Sequence, residues 1–117
     1  MAFKDNIKKG TNELLVLSLL NQQDMYGYQI CQTLAEKSNH VYTVSEGSLY
    51  PILYRLSQAG YISERVELVK RRSRVYYHLE EPGQIYFHQC MKEYRMLTSS
   101  IADILGETDE RDNNEQT

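Results

Sequence analysis

The stretch Tyr61-Ile62-Ser63-Glu64-Arg65-Val66-Glu67-Leu68-Val69-Lys70-Arg71-Arg72-Ser73-Arg74-Val75-Tyr76-Tyr77-His78-Leu79 decides how the rest of the chain is read. Tyr61, Ile62, Val66, Leu68 and Val69 precede a basic cluster, and Val75, Tyr76, Tyr77 and Leu79 follow it. Both flanks have the β-branched and aromatic composition of strands. The polar link Lys70-Arg71-Arg72-Ser73 can turn the chain back on itself, so the stretch predicts a two-stranded hairpin with a cationic tip. A lone hairpin is marginal in water and must pack against other elements.

Upstream the pattern is helical. Leu14, Leu15, Leu17, Leu19 and Leu20 form a dense apolar run closing a helix over about residues 4–21. Met25-Tyr26-Gly27 reads as a short connection. Ile30, Cys31 and Leu34 place a second helix over about 28–38, ended by Asn39-His40. A third covers about 45–59, with Leu49, Ile52, Leu53 and Leu56 on one stripe, Ser45 as N-cap and Gly60 as the stop. Pro51 sits awkwardly in it; local rules put proline in the first turn, which implies a start near residue 50 or a bend.

Downstream, Pro82 opens a long helix over 82–105. Phe87, Met91 (or Cys90), Tyr94, Leu97, Ile101 and Ile104 recur at spacings of three and four, with Leu105 beside them. At 1.5 Å per residue it extends about 36 Å, longer than so small a domain needs, so its stripe is expected to bury itself on a partner. Residues 107–117 hold five acids against Arg111 and little that is apolar, and are expected to be disordered.

The chain has 117 residues, enough for one core. No run is long enough to span a bilayer, no basic-then-apolar leader is visible, and Cys31 and Cys90 read as reduced thiols of a cytoplasmic protein. Net charge is −3, but its distribution is uneven. Residues 1–79 carry ten Lys/Arg against seven Asp/Glu, whereas 80–117 carry three against nine. Four bases lie within residues 70–74, and a local field of this kind attracts phosphate because screening cuts off charges beyond about 8 Å. His40, His78 and His88 fall in three separate elements, without metal-ligand spacing, and no catalytic constellation or phosphate-binding glycine loop is present. No enzymatic activity, metal or cofactor is implied.

Three helices followed by a basic-tipped hairpin is the winged helix-turn-helix plan, a mainly α (α+β) class with a two-stranded β wing and here a long C-terminal dimerisation helix. The residues also carry a family resemblance. Glu13-Leu14-Leu15-Val16-Leu17-Ser18-Leu19-Leu20 and Met25-Tyr26-Gly27-Tyr28-Gln29-Ile30 look like the opening of PadR-family transcriptional regulators. Ser45-Glu46-Gly47-Ser48-Leu49-Tyr50-Pro51-Ile52-Leu53-Tyr54-Arg55-Leu56, ending Ala59-Gly60-Tyr61-Ile62, resembles that family's third helix, and Arg74-Val75-Tyr76-Tyr77-His78-Leu79 its second wing strand. The blocks occur in the family's order and spacing. Two features depart from it. No glycine leads the wing arginines, and Glu80-Glu81 stands where the family caps its last helix with threonine.

The implied organisation is a DNA-binding domain over 1–79, a dimerisation helix over 80–106 and the acidic tail over 107–117. Ser45, Gly47, Ser48, Tyr50, Pro51, Tyr54 and Arg55 form the expected reading face: Gly47 for close backbone approach, Ser48 and Tyr50 for base edges or groove wall, Arg55 for phosphate. Packing inside the fold is the competing role for either tyrosine. By the family pattern Tyr26 is expected to start the second helix and meet backbone phosphate, with a structural packing role as the competing reading. Lys70, Arg71, Arg72 and Arg74 supply the wing charge. Phe87, Cys90, Met91, Tyr94, Leu97, Ile101, Ile104 and Leu105 form the expected dimer seam, and Tyr86, Met91 and Tyr94 are candidates to line a pocket for an aromatic or drug-like effector. The resemblance implies a homodimeric regulator of pseudo-palindromic double-stranded DNA, a repressor released by its effector, with no membrane partner. The rival is a winged-helix module that binds protein and no specific DNA.

Overall fold

The computed structural model describes residues 2–107, so the tail beyond Glu107 lies outside the described residues. The element order is α1 (Phe3–Gln22), β1 (Met25–Tyr26), α2 (Gly27–Lys37), α3 (Glu46–Gln58), β2 (Ile62–Val69), β3 (Arg72–Leu79) and α4 (Glu81–Leu105). This is the winged helix-turn-helix. One compact unit runs to Phe87 and a second begins at His88, so the first turns of α4 belong with the winged unit.

The core is built from the stripes the sequence marks. Val16, Leu17, Leu19 and Leu20 of α1, Ile30 and Leu34 of α2, and Leu49, Ile52, Leu53 and Leu56 of α3 are buried, and the sheet adds Met25, Ile62, Tyr77 and Leu79. Each such aliphatic side chain contributes about 1.5–3 kcal/mol by leaving water. The helix ends obey local chemistry. Ser45 Oγ accepts from the Ser48 N–H at 3.2 Å and caps α3. At the other end Gly60, with φ +79°, donates to Ser57 O while Tyr61 donates to Leu56 O, both at 3.0 Å. Asn39, at φ +50°, ends α2 the same way: its N–H reaches Glu36 O at 3.3 Å and the His40 N–H reaches Ala35 O at 2.7 Å.

Three details differ from the sequence reading. Met25-Tyr26 is a strand, pairing antiparallel with β3 (Met25↔Tyr77, Tyr26↔Tyr76), so the sheet has three strands in the order β1-β3-β2. Two residues are too few to show alternation; the free edge of β3 and the buried Met25 side chain select the pairing. The hairpin link is two residues, not four: Val69 pairs with Arg72, leaving only Lys70 and Arg71 in the turn. Both have positive φ, +50° and +67°, the twist-matched type I′ arrangement that favours Asn-Gly. No glycine is present, and two side-chain-bearing residues occupy the left-handed region. Finally, α3 begins at Glu46 and continues through Pro51. The missing Pro51 N–H leaves the Gly47 carbonyl without its helical donor, which is tolerable because both residues are exposed to water.

Helix α4 is seated on Tyr61. The Glu80 N–H donates to Tyr61 O at 2.9 Å, and a Cβ at Gly83 would stand 2.1 Å from that same oxygen. Only glycine permits this approach. One turn on, the Tyr86 ring stacks on Tyr61 with centroids 4.4 Å apart. Phe87 is 8% exposed and completes this packing. It is therefore a core residue of the winged unit, a correction to its place in the expected dimer seam: the seating of α4 turns Phe87 inward while Ile85 stays exposed.

Candidate nucleic-acid interface

Burial of Leu49, Ile52, Leu53 and Leu56 turns the opposite face of α3 outward. Ser45, Gly47, Ser48, Tyr50, Pro51, Tyr54 and Arg55 are all exposed there. Ser45 Oγ donates to Ser48 Oγ at 3.1 Å, which leaves the Ser48 hydroxyl proton available to an outside acceptor. Around Gly47 the chain is empty; the nearest atom to a hypothetical Cβ is Ser45 Oγ at 3.9 Å. No internal packing demands glycine at that position, so an external surface is what its small size suits. Tyr54, for which burial was the competing expectation, is 65% exposed.

Tyr50 plays two parts. Its ring lies over Gly27 at the start of α2, so close that a Cβ there would meet the hydroxyl at 2.8 Å, yet much of it remains exposed. Burial, then the nearby Glu46 carboxylate and Cys31, push its hydroxyl above the ordinary range, so it stays neutral and can donate. Burial and Glu46 likewise push the Cys31 thiol up, leaving it protonated and poorly nucleophilic at neutral pH.

On the wing, strand alternation sorts the side chains. Tyr77 and Leu79 of β3 face the core, so Arg72, Arg74, Tyr76 and His78 share the outer face. The Arg74 guanidinium lies over the Tyr26 ring, 4.3 Å from its centroid, and Tyr26 meets Tyr76 edge-on at 5.4 Å. Tyr26 also precedes α2, its backbone N–H donating to Gln29 Oε1 at 3.4 Å. The expected phosphate contact of Tyr26 is thus a residue held rigidly by its neighbours, with Arg74 beside it.

At the base of the wing Arg65 pairs with Asp24 and, at 2.8 Å, with Glu67; it also lies over Tyr76 at 5.0 Å. His78 Nδ1 is 2.7 Å from the other Asp24 oxygen. Partial burial raises the Asp24 carboxyl, but hydrogen bonds and charge from His78 and Arg65 together outweigh it and hold the group below its ordinary value. Nearer the tip the situation reverses. Lys70, Arg71 and Arg72 are exposed and make no ion pair among the described residues.

Arg55 lies on α3 with its guanidinium 4.0 Å from Glu13 of α1, whose other oxygen accepts from the Tyr86 hydroxyl at 2.7 Å. Tyr86, a candidate for effector binding, is half-buried and engaged in this bond and in the Tyr61 stack. Sequence reasoning missed Glu13, Asp24 and Glu46 as parts of the site. Each is a single acid in a polar or mixed neighbourhood, and only the fold shows which cation or hydroxyl it faces. Beyond His88, Tyr94, Leu97, Ile101, Ile104 and Leu105 are exposed, and Cys90 and Met91 are half-exposed. Among the described residues no group of three or more His, Cys, Asp or Glu forms a metal-holding cluster, and no helix is long and apolar enough to cross a membrane.

Comparison with known proteins points the same way. The chain superposes on a transcriptional regulator from Clostridium thermocellum with a TM-score of 0.79 at 28% identity, over 84% of this chain and 96% of that one. A PadR family transcriptional regulator from Eggerthella lenta matches with a TM-score of 0.77 at 26% identity, over 89% and 88% of the two chains. A relative from Lysinibacillus sphaericus is 26% identical over 99 residues, 84% of this chain and 91% of that protein. The model of the transcriptional regulator PadR-like family matches residues 16–89, which span α1 from its apolar run through α2, α3 and the whole wing to the seat of α4. With α3, the cationic wing and the aromatic seat of α4 all inside that match, the chain belongs to the PadR-like family of transcriptional regulators.

Proposed function

We propose that the chain acts as a cytoplasmic homodimer that represses transcription by gripping a pseudo-palindromic operator and is released by a small aromatic or drug-like effector. The observation that carries this reading is that Lys70, Arg71 and Arg72 meet no acid among the described residues, on a wing where Arg65 is paired with Asp24 and Glu67 and Arg74 lies over the Tyr26 ring. A wing built only to fold or to bind apolar protein would not concentrate unpaired cations at its tip; phosphate is the ligand such a tip suits. Ser48, Tyr54 and Arg55 on α3 then supply the reading and phosphate contacts, with Tyr26 and Arg74 buttressing the wing. Among the described residues the second unit offers Tyr94, Leu97, Ile101, Ile104 and Leu105 as exposed apolar side chains, which supports a helix-to-helix seam between two copies. Two-fold symmetry would match half-sites about 34–36 Å apart or a multiple of that.

The test is selection of bound duplexes from a random library, with footprinting and sedimentation of the same preparation. A dimer at micromolar concentration protecting an inverted repeat is expected. A monomer, or equal salt-steep affinity for every duplex, defeats the proposal.

A further inference from the structure

Glu13 stands between two helices with different duties. Its Oε1 accepts from the Tyr86 hydroxyl of α4 at 2.7 Å, and its Oε2 lies 4.0 Å from the Arg55 guanidinium of α3. The Tyr86 side is rigid. Its ring stacks on Tyr61 with an interplanar angle of 9°, and Gly83 one turn earlier is pressed against Tyr61 O. The Arg55 side is loose: the side chain is 61% exposed and the pair lies at the outer limit of an ion pair. One carboxylate therefore divides itself between a firmly held hydroxyl and an exposed, weakly engaged cation.

We propose that Glu13 is a positioning residue that sets how freely Arg55 reaches phosphate, according to whether α4 holds its other oxygen through Tyr86. With Tyr86 in place, the hydroxyl satisfies part of the carboxylate and Arg55 is available to DNA. When α4 shifts and carries Tyr86 away, the carboxylate loses its hydroxyl donor, draws Arg55 into a close ion pair and removes one phosphate contact. Displacement of α4 is thereby converted into weaker DNA binding without any ligand touching α3. This inference rests on the DNA-binding reading above and adds a regulatory element to it.

Variants of the full-length protein test it. With a duplex selected by the unmodified chain, Tyr86→Phe is expected to weaken binding and make the slope of log affinity against log salt shallower by about 0.9, the value for one phosphate contact. Between 50 and 200 mM salt, this slope change alters the affinity ratio about three- to fourfold. Glu13→Gln is expected to restore or exceed the unmodified affinity and to abolish the effect of Tyr86→Phe. In an Arg55→Ala background neither substitution should change affinity or slope, which separates positioning from a general structural role. Without DNA, the Arg55 Nε–H resonance should move on Tyr86→Phe and stay unaffected by that change when Glu13 is already Gln. Effects that add independently, persist without Arg55, or leave that resonance still overturn the inference. If the unmodified chain selects no duplex, the functional reading fails separately, while the DNA-free resonance still decides whether the Tyr86–Glu13–Arg55 relay exists.

Discussion

The base and the tip of the wing use the same residue type for opposite purposes. At the base, Arg65 is gripped by Asp24 and Glu67 and covered by Tyr76, while His78 takes the remaining Asp24 oxygen. At the tip, the turn residues Lys70 and Arg71 and the adjoining Arg72 of β3 have no acid partner among the described residues. Cations paired at the base tie three strands together. Cations left unpaired at the tip keep their charge for an outside ligand. A sequence-level count of basic residues cannot separate the two groups; the fold can, because the register sets Arg65 opposite Tyr76 and brings Asp24 level with His78, while Arg65 meets Glu67 two residues on along its own strand.

The contrast breaks most visibly in DNA affinity. Replacing Arg71 and Arg72 with Ala should weaken duplex binding about thirtyfold at 0.15 M salt and flatten the salt slope by about 1.8, since each lost phosphate contact carries about 0.9. Thermal unfolding should be little changed. Fluorescence anisotropy across a salt series measures this, and undiminished affinity would mean the tip does not meet phosphate. A smaller effect separates turn geometry from charge. Arg71→Gly removes a side chain from a φ of +67° and should raise stability by about 0.5–1 kcal/mol, seen as a higher melting temperature, while costing one phosphate contact. A fall in stability would show that the Arg71 side chain, not the backbone, holds the turn.

The smallest effect belongs to the base. Asp24→Asn should cost less than about 1 kcal/mol at neutral pH, because its partners are substantially exposed, and should leave DNA affinity intact. Its pH dependence has a defined sign. The folded-state carboxyl titrates below its ordinary 3.8, so its contribution is complete above that value and is lost as pH falls through the lower folded one. Denaturant unfolding of both proteins should therefore converge in acid. A loss of affinity comparable to that of the tip variant would erase the distinction between base and tip.

Much of this is legible in the sequence alone. The stripe Leu49, Ile52, Leu53, Leu56 fixes which side of α3 faces inward, and Gly60 ends the helix because its φ of +79° suits no bulkier residue as well. Ser45 caps through a local bond to Ser48. These features depend on neighbours within one or two turns. The strand β1 escaped notice because its two residues pair with β3 about fifty positions away. Phe87 looked like one more member of an apolar stripe, and only the approach of Gly83 to Tyr61 turns it into the core.

What the sequence determined by itself is the set of helices, their inward faces and the charge of the wing, all of which follow from short-range periodicity, capping and composition. What the tertiary structure alone decided is the partner of each charge: that Asp24 neutralises Arg65, that Glu13 is shared by Tyr86 and Arg55, and that the turn cations meet no acid among the described residues. Ion pairs and hydrogen bonds act over a few ångströms between residues tens of positions apart, so no local pattern encodes them, and they exist only once packing has brought the elements together.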